Sequence, residues 1–232
     1  ITKVQLKVLP QPQVIQSILI AFDDVFAAAN GVIKILNNGI NPTALELFEK
    51  ETIRYSEQML NEPLQTQKGD AYILMTLDDD STDSLNHRVK KVAELLKEKA
   101  IEVLPLNLEE EKISWKLRDN IIIALYQFTE CDALDLEVPI NRFAETIEYT
   151  KELQDKYGIT VVNFGHVGDG NIHTVLLKEQ LDEETWLAKR EALLDDLYGK
   201  VAEVGGLPSA EHGIGVVHTR YWDQTKTKVE IQ

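Results

Sequence analysis

The chain has 232 residues, which is enough to bury the core of one large domain or of two small subdomains that share one. Its hydrophobic fraction of 44% and its charged fraction of 27% are ordinary for a soluble globular protein. The formal net charge of −15 argues against a nucleic-acid-binding surface and against attachment to anionic lipid by charge alone.

The sequence shows neither a membrane span nor a secretion signal. No apolar run approaches the roughly 18 to 20 residues that a span needs, and no basic segment followed by an apolar one marks a signal peptide. The single cysteine, Cys131, excludes an intrachain disulfide and fits a reducing compartment. We therefore expect a cytoplasmic protein. The chain starts at Ile1 and stops inside a polar run, residues 225–232, so we interpret it as a piece of a longer polypeptide.

Hydrophobic periodicity divides the chain into strands and helices in a recurring strand–helix–strand order. Strands are predicted over residues 4–8, 17–22, 71–77, 101–106, 135–138, 159–162 and 172–177. Helices are predicted over residues 25–36, 45–55, 85–96, 115–128, 142–157 and 182–204. The acidic run 78–80 is interpreted as a solvated turn that caps the next helix, since consecutive carboxylates cannot all point at one ion. This order favours an α+β fold of two ferredoxin-like halves, an antiparallel sheet with helices packed on one face.

Residues 163–174 contain two of the five histidines, His166 and His173, on either side of a loop with Gly168 and Gly170. Apolar runs before and after this loop predict a strand, a tight turn and a returning strand. Because glycine permits positive φ and a close backbone approach, the loop can bring both imidazoles together.

A second polar segment, residues 209–215, supplies Glu211 and His212. His166, His173 and Glu211 form a set of two imidazoles and one carboxylate that suits zinc, or less selectively manganese or iron. Three protein ligands leave one coordination position open, as in catalytic sites. The alternative is that both histidines only hydrogen-bond the backbone at a hairpin, and spacing alone does not decide between the two.

Other polar residues are candidates for roles near such a site. His212 follows the carboxylate ligand directly, so in an extended segment its side chain diverges from that ligand and can act as a general base. Asp169 can either orient a ligating imidazole or form an Asx-type turn. Arg118 can bind a carboxylate, although an isolated arginine on a helix is usually solvated. His87 and His218 stand among polar neighbours and are predicted to be surface residues.

The chain contains no GxGxxG, P-loop, GxSxG or paired-cysteine motif. Residues 165–173 (GHVGDGNIH) and 211–215 (EHGIG) closely resemble the signature of the C-terminal domain of FAD-linked oxidases. Weaker matches follow in family order at residues 21–24 (AFDD), 115–118 (WKLR) and 135–139 (DLEVP). This family includes D-lactate dehydrogenases, D-2-hydroxyglutarate dehydrogenase and one of the subunits of glycolate oxidase.

The resemblance implies that residues 1–232 are a substrate or cap domain that closes over a flavin. Family members bind FAD mainly in a separate N-terminal domain, which this chain lacks. In members with a metal, the two histidines and the glutamate of the motif hold a zinc-like ion, and these match His166, His173 and Glu211. The next histidine, matching His212, would remove the substrate's hydroxyl proton while a hydride passes to the flavin.

Two further matches concern the substrate. Arg118 matches the family's carboxylate-binding arginine, and Asn171 lies where the motif approaches both substrate and flavin. Together these matches imply a FAD-dependent dehydrogenase or oxidase of a D-lactate-like or glycolate-like 2-hydroxy acid, inactive as this fragment alone because the hydride needs an acceptor. The expected partners are the substrate, the N-terminal FAD-binding domain and an electron-acceptor subunit, through which the protein would lie peripheral to a membrane.

The sequence also departs from the family pattern. Residues 131–134 lack the lysine and tyrosine that some members place there, which makes a dicarboxylate substrate less expected. Asp119 stands where many members have glutamate, and Ala210 stands where many have glycine. The asparagine-proline-glycine tail common in the family is missing.

Two other functions stay open at this point. A metal-dependent hydrolase could use the same three ligands without a flavin. A non-catalytic module that binds a partner subunit would retain its function when His212 is replaced by alanine.

Overall fold

A computed structural model describes residues 2–216 and 218–222 of the chain. In this part the strands are β1 Val14–Phe22, β2 Ala44–Glu49, β3 Ala71–Asp79, β4 Glu102–Pro105, β5 Cys131–Glu137, β6 Thr160–His166 and β7 Asn171–Leu177. The α-helices are α1 Val25–Asn37, α2 Lys50–Leu60, α3 Thr82–Leu96, α4 Leu108–Asp119, α5 Ile121–Phe128, α6 Phe143–Tyr157 and α7 Glu183–Glu203. All strands belong to one antiparallel sheet in the order β4-β1-β3-β2-β6-β7-β5.

The sheet consists of two ferredoxin-like halves joined edge to edge, so the predicted α+β class is confirmed. The first half has the complete order β4-β1-β3-β2. The second half repeats it with β5, β6 and β7, and an isolated bridge between Glu137 and Leu207 stands where its fourth strand would lie. The halves meet where β2 pairs with β6, and this register sets Glu46 opposite His166.

Helices cover both faces of the sheet, which corrects the prediction of a single helical layer. The ferredoxin-type helices α1, α3, α6 and α7 pack on one face. The insertion α2 and the linker helices α4 and α5 pack on the other. Side chains alternate along a strand, and β1 is buried from Ile18 to Phe22 on both sides. Such a continuous apolar run needs cover on both faces.

Residues 45–55, predicted as one helix, form the end of β2 and the start of α2. Glu46 and Glu49 interrupt the apolar pattern of the strand, yet both are buried. Each gains a distant cation, Arg118 for Glu46 and Lys151 for Glu49. Local periodicity in the sequence cannot predict ion pairs between residues so far apart along the chain.

Smaller differences concern the ends of elements. The strand predicted over residues 4–8 was wrong, because residues 2–12 form no helix or strand and their apolar side chains are exposed. The helix predicted over 115–128 is divided at Asn120 into α4 and α5. Ser81, rather than an aspartate of the run 78–80, accepts the capping hydrogen bond of α3. Asp182 caps α7 as predicted.

Candidate functional site

Most of the predicted site residues meet at one cavity of about 440 Å³. It lies on the face of the sheet that carries α4 and α5. Its polar lining comprises Arg118, Asp119, Asp135, His166, His173, Glu211, His212 and His218. Its apolar lining includes Ile122, Tyr126, Ala133, Phe164, Tyr198 and Ile214.

The β6–β7 hairpin places both histidines on this face. His166 ends β6 and His173 lies in β7 opposite Phe164, with the two imidazole centroids 5.6 Å apart. The hairpin needs glycine at two positions, one near the end of β6 and one in the turn. At Gly165, φ is +155° and a Cβ would lie 2.6 Å from the carbonyl oxygen of Asn171. At Gly170, φ is +94° and a Cβ would collide with the carbonyl oxygen of Val138.

Glu211 reaches both histidines from the segment after α7. Its Oε1 lies 3.4 Å from Nε2 of His166, 3.7 Å from Nε2 of His173 and 3.5 Å from Nε2 of His212. Tetrahedral coordination with bonds of about 2.1 Å separates neighbouring ligand atoms by roughly 3.4 Å. The distances from Glu211 to the two histidines are close to this value. In the described part of the chain, the group whose ligand atoms all lie within 4.8 Å of one another consists of Asp135, His173, Glu211 and His212, without His166. The set His166, His173 and Glu211 stays a prediction.

Carboxylates stand behind both imidazoles. Oε1 of Glu46 lies 2.8 Å from Nδ1 of His166, and Oδ1 of Asp135 lies 3.7 Å from Nδ1 of His173. Only the contact with Glu46 is short enough for a hydrogen bond, and a carboxylate that accepts from Nδ1–H fixes the tautomer whose lone pair is at Nε2, which is the form that binds a metal. The hydrogen bond to Glu46 raises the pKa of His166, whereas burial lowers the pKa of His173 to about 4. His173 is thus neutral near pH 7.

Arg118 is not the isolated, solvated arginine of the sequence-based alternative. Its Nε and Nη2 donate to Oε2 of Glu46 at 2.8 and 2.5 Å, and Nη2 lies 3.1 Å from Nδ1 of His166. Its Nη1 lies 3.7 Å from Oδ1 of Asp119. Glu46 therefore engages the Nε and Nη2 edge of the guanidinium, and Nη1 pairs with Asp119.

His212 and Asn171 occupy different environments. The His212 side chain is 66% exposed and its ring centroid lies 5.5 Å from that of His173. Asn171 is buried and lines a smaller neighbouring cavity of about 160 Å³. Its Nδ2 donates to Oδ1 of Asp135 at 2.9 Å and to the carbonyl oxygen of Leu136 at 3.1 Å.

Two sequence interpretations are decided by these contacts. Oδ1 of Asp169 accepts from the backbone N–H of Asn171 at 3.3 Å, so Asp169 forms the Asx-type turn of the two alternatives. The prediction that His218 is a surface residue was wrong. Its side chain is 14% exposed, and its Nε2 lies 3.4 Å from Oδ2 of Asp132, a carboxylate that also accepts from Arg190. His87 is exposed as predicted.

Sequence reasoning missed the roles of Glu46 and Asp135. Glu46 fell in a segment predicted to be helical, and Asp135 was noted only as the start of a short extended motif. Each is an acidic residue between two leucines of its strand. A buried acid needs a partner, so this position in a strand is the signal that could have identified them.

Among the described helices, none is both long and apolar enough to cross a membrane.

Comparisons with known proteins connect this geometry with a family. The family model of FAD linked oxidases, C-terminal domain, matches residues 11–232. D-lactate dehydrogenase of Anaerostipes hadrus is 31% identical over 93% of this chain and 47% of its own length. Glycolate oxidase subunit GlcD of Escherichia coli (strain K12) is 32% identical over 92% of this chain and 43% of its own length. The chain thus spans about half the length of these relatives.

Solved structures support the fold. The 4-ethylphenol oxidase of Gulosibacter chungangensis aligns with a TM-score of 0.61 at 14% identity, over 92% of this chain and 49% of the other. At such low identity the likeness concerns the fold alone. Because the family model spans nearly the whole sequence, the chain belongs to the C-terminal domains of FAD-linked oxidases.

Proposed function

We propose that this chain is the substrate domain of a flavin-dependent dehydrogenase or oxidase of a 2-hydroxy acid, resembling D-lactate or glycolate. The observation that carries the proposal is the convergence of His166, His173 and Glu211 in one cavity beside His212 and Arg118. Family membership adds the flavin, which the N-terminal domain of a longer polypeptide would hold.

The donor set fits a divalent ion, and zinc is our first choice. Two imidazoles and one carboxylate are a common catalytic zinc set, and both imidazoles face a carboxylate through Nδ1. His166, His173 and Glu211 would hold the ion. When bound, such an ion acts as a Lewis acid and lowers the pKa of a coordinated hydroxyl.

His212 is suited to receive the hydroxyl proton. Its exposed ring lies at the rim of the cavity, next to the ligand group Glu211. An imidazole that acts as a general base contributes roughly 10²- to 10⁴-fold to a rate. The flavin would take the hydride from C2.

Arg118 and the apolar wall can orient the acid. Glu46 engages Nε and Nη2 of Arg118, so we assign the substrate carboxylate to Nη1. Ile122, Tyr126 and Ala133 line the same cavity and can receive a small apolar C3 group. Asn171 lines the smaller cavity, and we assign it to the contact with the substrate and the flavin.

The test uses the full-length protein that contains this domain, with flavin bound and without oxygen. Glycolate, D-lactate, L-lactate and D-2-hydroxyglutarate are added in turn, each with zinc or manganese, while the flavin absorbance is followed. We expect one monocarboxylic acid to bleach the flavin, and His212→Ala to slow the bleaching by roughly 10²-fold or more. His87→Ala, an exposed histidine outside the cavity, is the control.

Absence of bleaching by every acid, with metal shown to occupy the site, would contradict the proposal. Cleavage of an ester or amide by the metal-loaded domain without flavin would support the hydrolase alternative instead. Cytoplasmic localisation and an electron-acceptor subunit stay predictions from the sequence.

A further inference from the structure

We infer that Asp135 is not a ligand of the ion but the positioning residue that holds segment 209–212, with Glu211 and His212, against the histidine hairpin. The inference rests on the proposed function for its chemical meaning, but its geometry concerns this chain alone.

One carboxylate oxygen of Asp135 accepts hydrogen bonds from every residue of segment 209–212. Its Oδ2 accepts from Oγ of Ser209 at 2.9 Å and from the backbone N–H groups of Ala210 at 3.0 Å, Glu211 at 2.9 Å and His212 at 2.8 Å. The carbonyl oxygen of Asp135 also accepts from the N–H of Ala210 at 2.9 Å. A single side chain thus fixes the backbone of consecutive residues, including a predicted ligand and the predicted base.

The other oxygen faces the hairpin. Oδ1 accepts from Nδ2 of Asn171 at 2.9 Å and lies 3.7 Å from Nδ1 of His173. Asp135 therefore joins two stretches of the site that are far apart in sequence, β7 and the segment after α7.

These contacts argue against a ligand role. Atoms of Asp135, His173, Glu211 and His212 lie within 4.8 Å of one another, which is close enough for a shared ion. Oδ2 of Asp135, however, already accepts four hydrogen bonds, more than its two lone-pair positions need. Oδ1 accepts one hydrogen bond from Asn171 and lies beside Nδ1 of His173, not beside the Nε2 atom that Glu211 approaches. The carboxylate of Glu211 is half-exposed, and its Oε1 lies close to Nε2 of His166 and Nε2 of His173. We therefore place the ion beside Glu211.

The side chain is also suited to remain charged. Asp135 is 8% exposed. Burial raises the pKa of this carboxyl, but the hydrogen bonds from the N–H of His212, from Asn171 and from the N–H of Glu211 outweigh burial and leave the pKa below its usual value. A buried carboxylate is tolerated when donors surround it, and here the donors are the segment that has to be held.

Segment 209–212 has few other constraints. It contains no helix or strand, and Glu211 and His212 are exposed. Without Asp135, the distances from Oε1 of Glu211 to His166 and His173 would no longer be fixed by the backbone.

The experiment compares Asp135→Asn and Asp135→Ala in the full-length, flavin-loaded protein. Zinc affinity is measured by competition with a chelator, and hydrogen exchange is measured at the amides of Ala210, Glu211 and His212. The asparagine oxygen can still accept from the segment, while its NH₂ group faces Asn171 and His173. We expect Asp135→Asn to keep exchange protection within threefold and to weaken zinc binding roughly tenfold.

Asp135→Ala should both free the backbone of segment 209–212 and weaken zinc binding. We expect exchange of the three amides to accelerate at least about tenfold and zinc affinity to fall roughly 100-fold. In flavin reduction kcat should fall more than KM changes, because the base and a ligand move together. Glu49→Gln is the matched control, since Glu49 is also a buried carboxylate that accepts from a backbone N–H, but it contacts no site histidine. It should leave zinc affinity unchanged.

Two results would overturn the inference. One is unchanged exchange and zinc affinity in Asp135→Ala. The other is loss of zinc in Asp135→Asn as severe as in Glu211→Gln with exchange unchanged, which would make Asp135 a ligand. If the alanine variant does not fold, the asparagine variant decides. Zinc affinity and exchange need no substrate, so a failure of the proposed oxidation is seen separately in the flavin absorbance.

Discussion

The two halves of the sheet have the same topology but different contents. The first half completes its strands, β4-β1-β3-β2, and contributes a single polar residue to the site, Glu46. The second half stops short: its fourth strand is reduced to the bridge between Glu137 and Leu207. The segment that follows this bridge carries Glu211 and His212, which face His166 and His173 of the hairpin.

This difference indicates that the candidate site lies where the second half does not complete its fourth strand. A finished strand would satisfy its backbone through a ladder of hydrogen bonds and direct alternate side chains to opposite faces. In the segment after the bridge, the carboxylate of Asp135 accepts backbone hydrogen bonds in place of a neighbouring strand. Glu211 and His212 are adjacent in sequence and both line the same cavity. Metal binding should therefore depend mainly on the second half, whereas the cores of both halves contribute to stability.

We expect the largest effect when a proposed metal ligand of the second half is removed. His173→Ala deletes one of the three proposed metal ligands, and we expect zinc affinity to fall roughly 10³-fold, since zinc binding energies of about 10 to 16 kcal/mol are shared among few ligands. Chelator competition measures the loss, with His87→Ala as the control. An affinity within threefold of the unchanged protein would mean that the ion binds elsewhere.

A matched pair of core variants compares the halves directly. Ile73 in β3 and Ile172 in β7 are both fully buried. Replacement of either by alanine should lower the free energy of unfolding by about 3 kcal/mol, because it removes buried methyl groups and leaves a cavity. Urea unfolding measures this change. Zinc affinity should fall only for Ile172→Ala, whose neighbour is His173; an equal fall in Ile73→Ala would break the comparison.

Glu46 is the one first-half residue for which we expect an effect on the metal. In Glu46→Gln the amide cannot accept from both Arg118 and Nδ1 of His166, so the imidazole loses its orienting carboxylate. We expect zinc affinity to fall roughly 10- to 100-fold. Glu111→Gln, which alters a carboxylate bound to Ser17 and far from the histidines, should bind zinc normally.

The smallest effect concerns stability and depends on pH. Burial raises the pKa of Asp132, but His218 and Arg190 outweigh burial and hold the pKa below the ordinary 3.8. A depressed folded-state pKa adds stability above pH 3.8 that disappears as the pH falls through the folded value. Asp132→Asn should therefore cost about 1 to 2 kcal/mol at pH 7.

Urea unfolding at pH 7 and below pH 3.8 tests this prediction. The difference between Asp132→Asn and the unchanged protein should shrink at the lower pH. A difference that is the same at both values would show that the ionised form of Asp132 adds nothing.

The sequence was sufficient where function and fold depend on local residues. Glycines around His166 and His173 predict a hairpin because the tight turn needs them, and Asp182 is an effective N-cap wherever a helix follows it. The family signature covers these same local stretches. The class of fold was therefore within reach of the sequence, and the metal set stays a prediction from it.

Contacts between distant residues were not within reach. Glu46 obtains its role from Arg118, and Asp135 obtains its role from residues 209–212. His218 was predicted at the surface because its chain neighbours are polar, but Asp132 of β5 meets it in space. Each error has the same physical origin, a buried charge whose partner the fold supplies.

The incomplete fourth strand has a further consequence for association between molecules. An open sheet edge can pair with another chain, and proteins block such edges with short strands, proline or covering loops. The edge at β4 is short and ends in Pro105, and the edge at β5 is covered through Leu207 and Ala210. The segment that carries Glu211 and His212 therefore also shields the sheet, and substitutions that release it should expose a strand to aggregation as well as weaken the proposed metal binding.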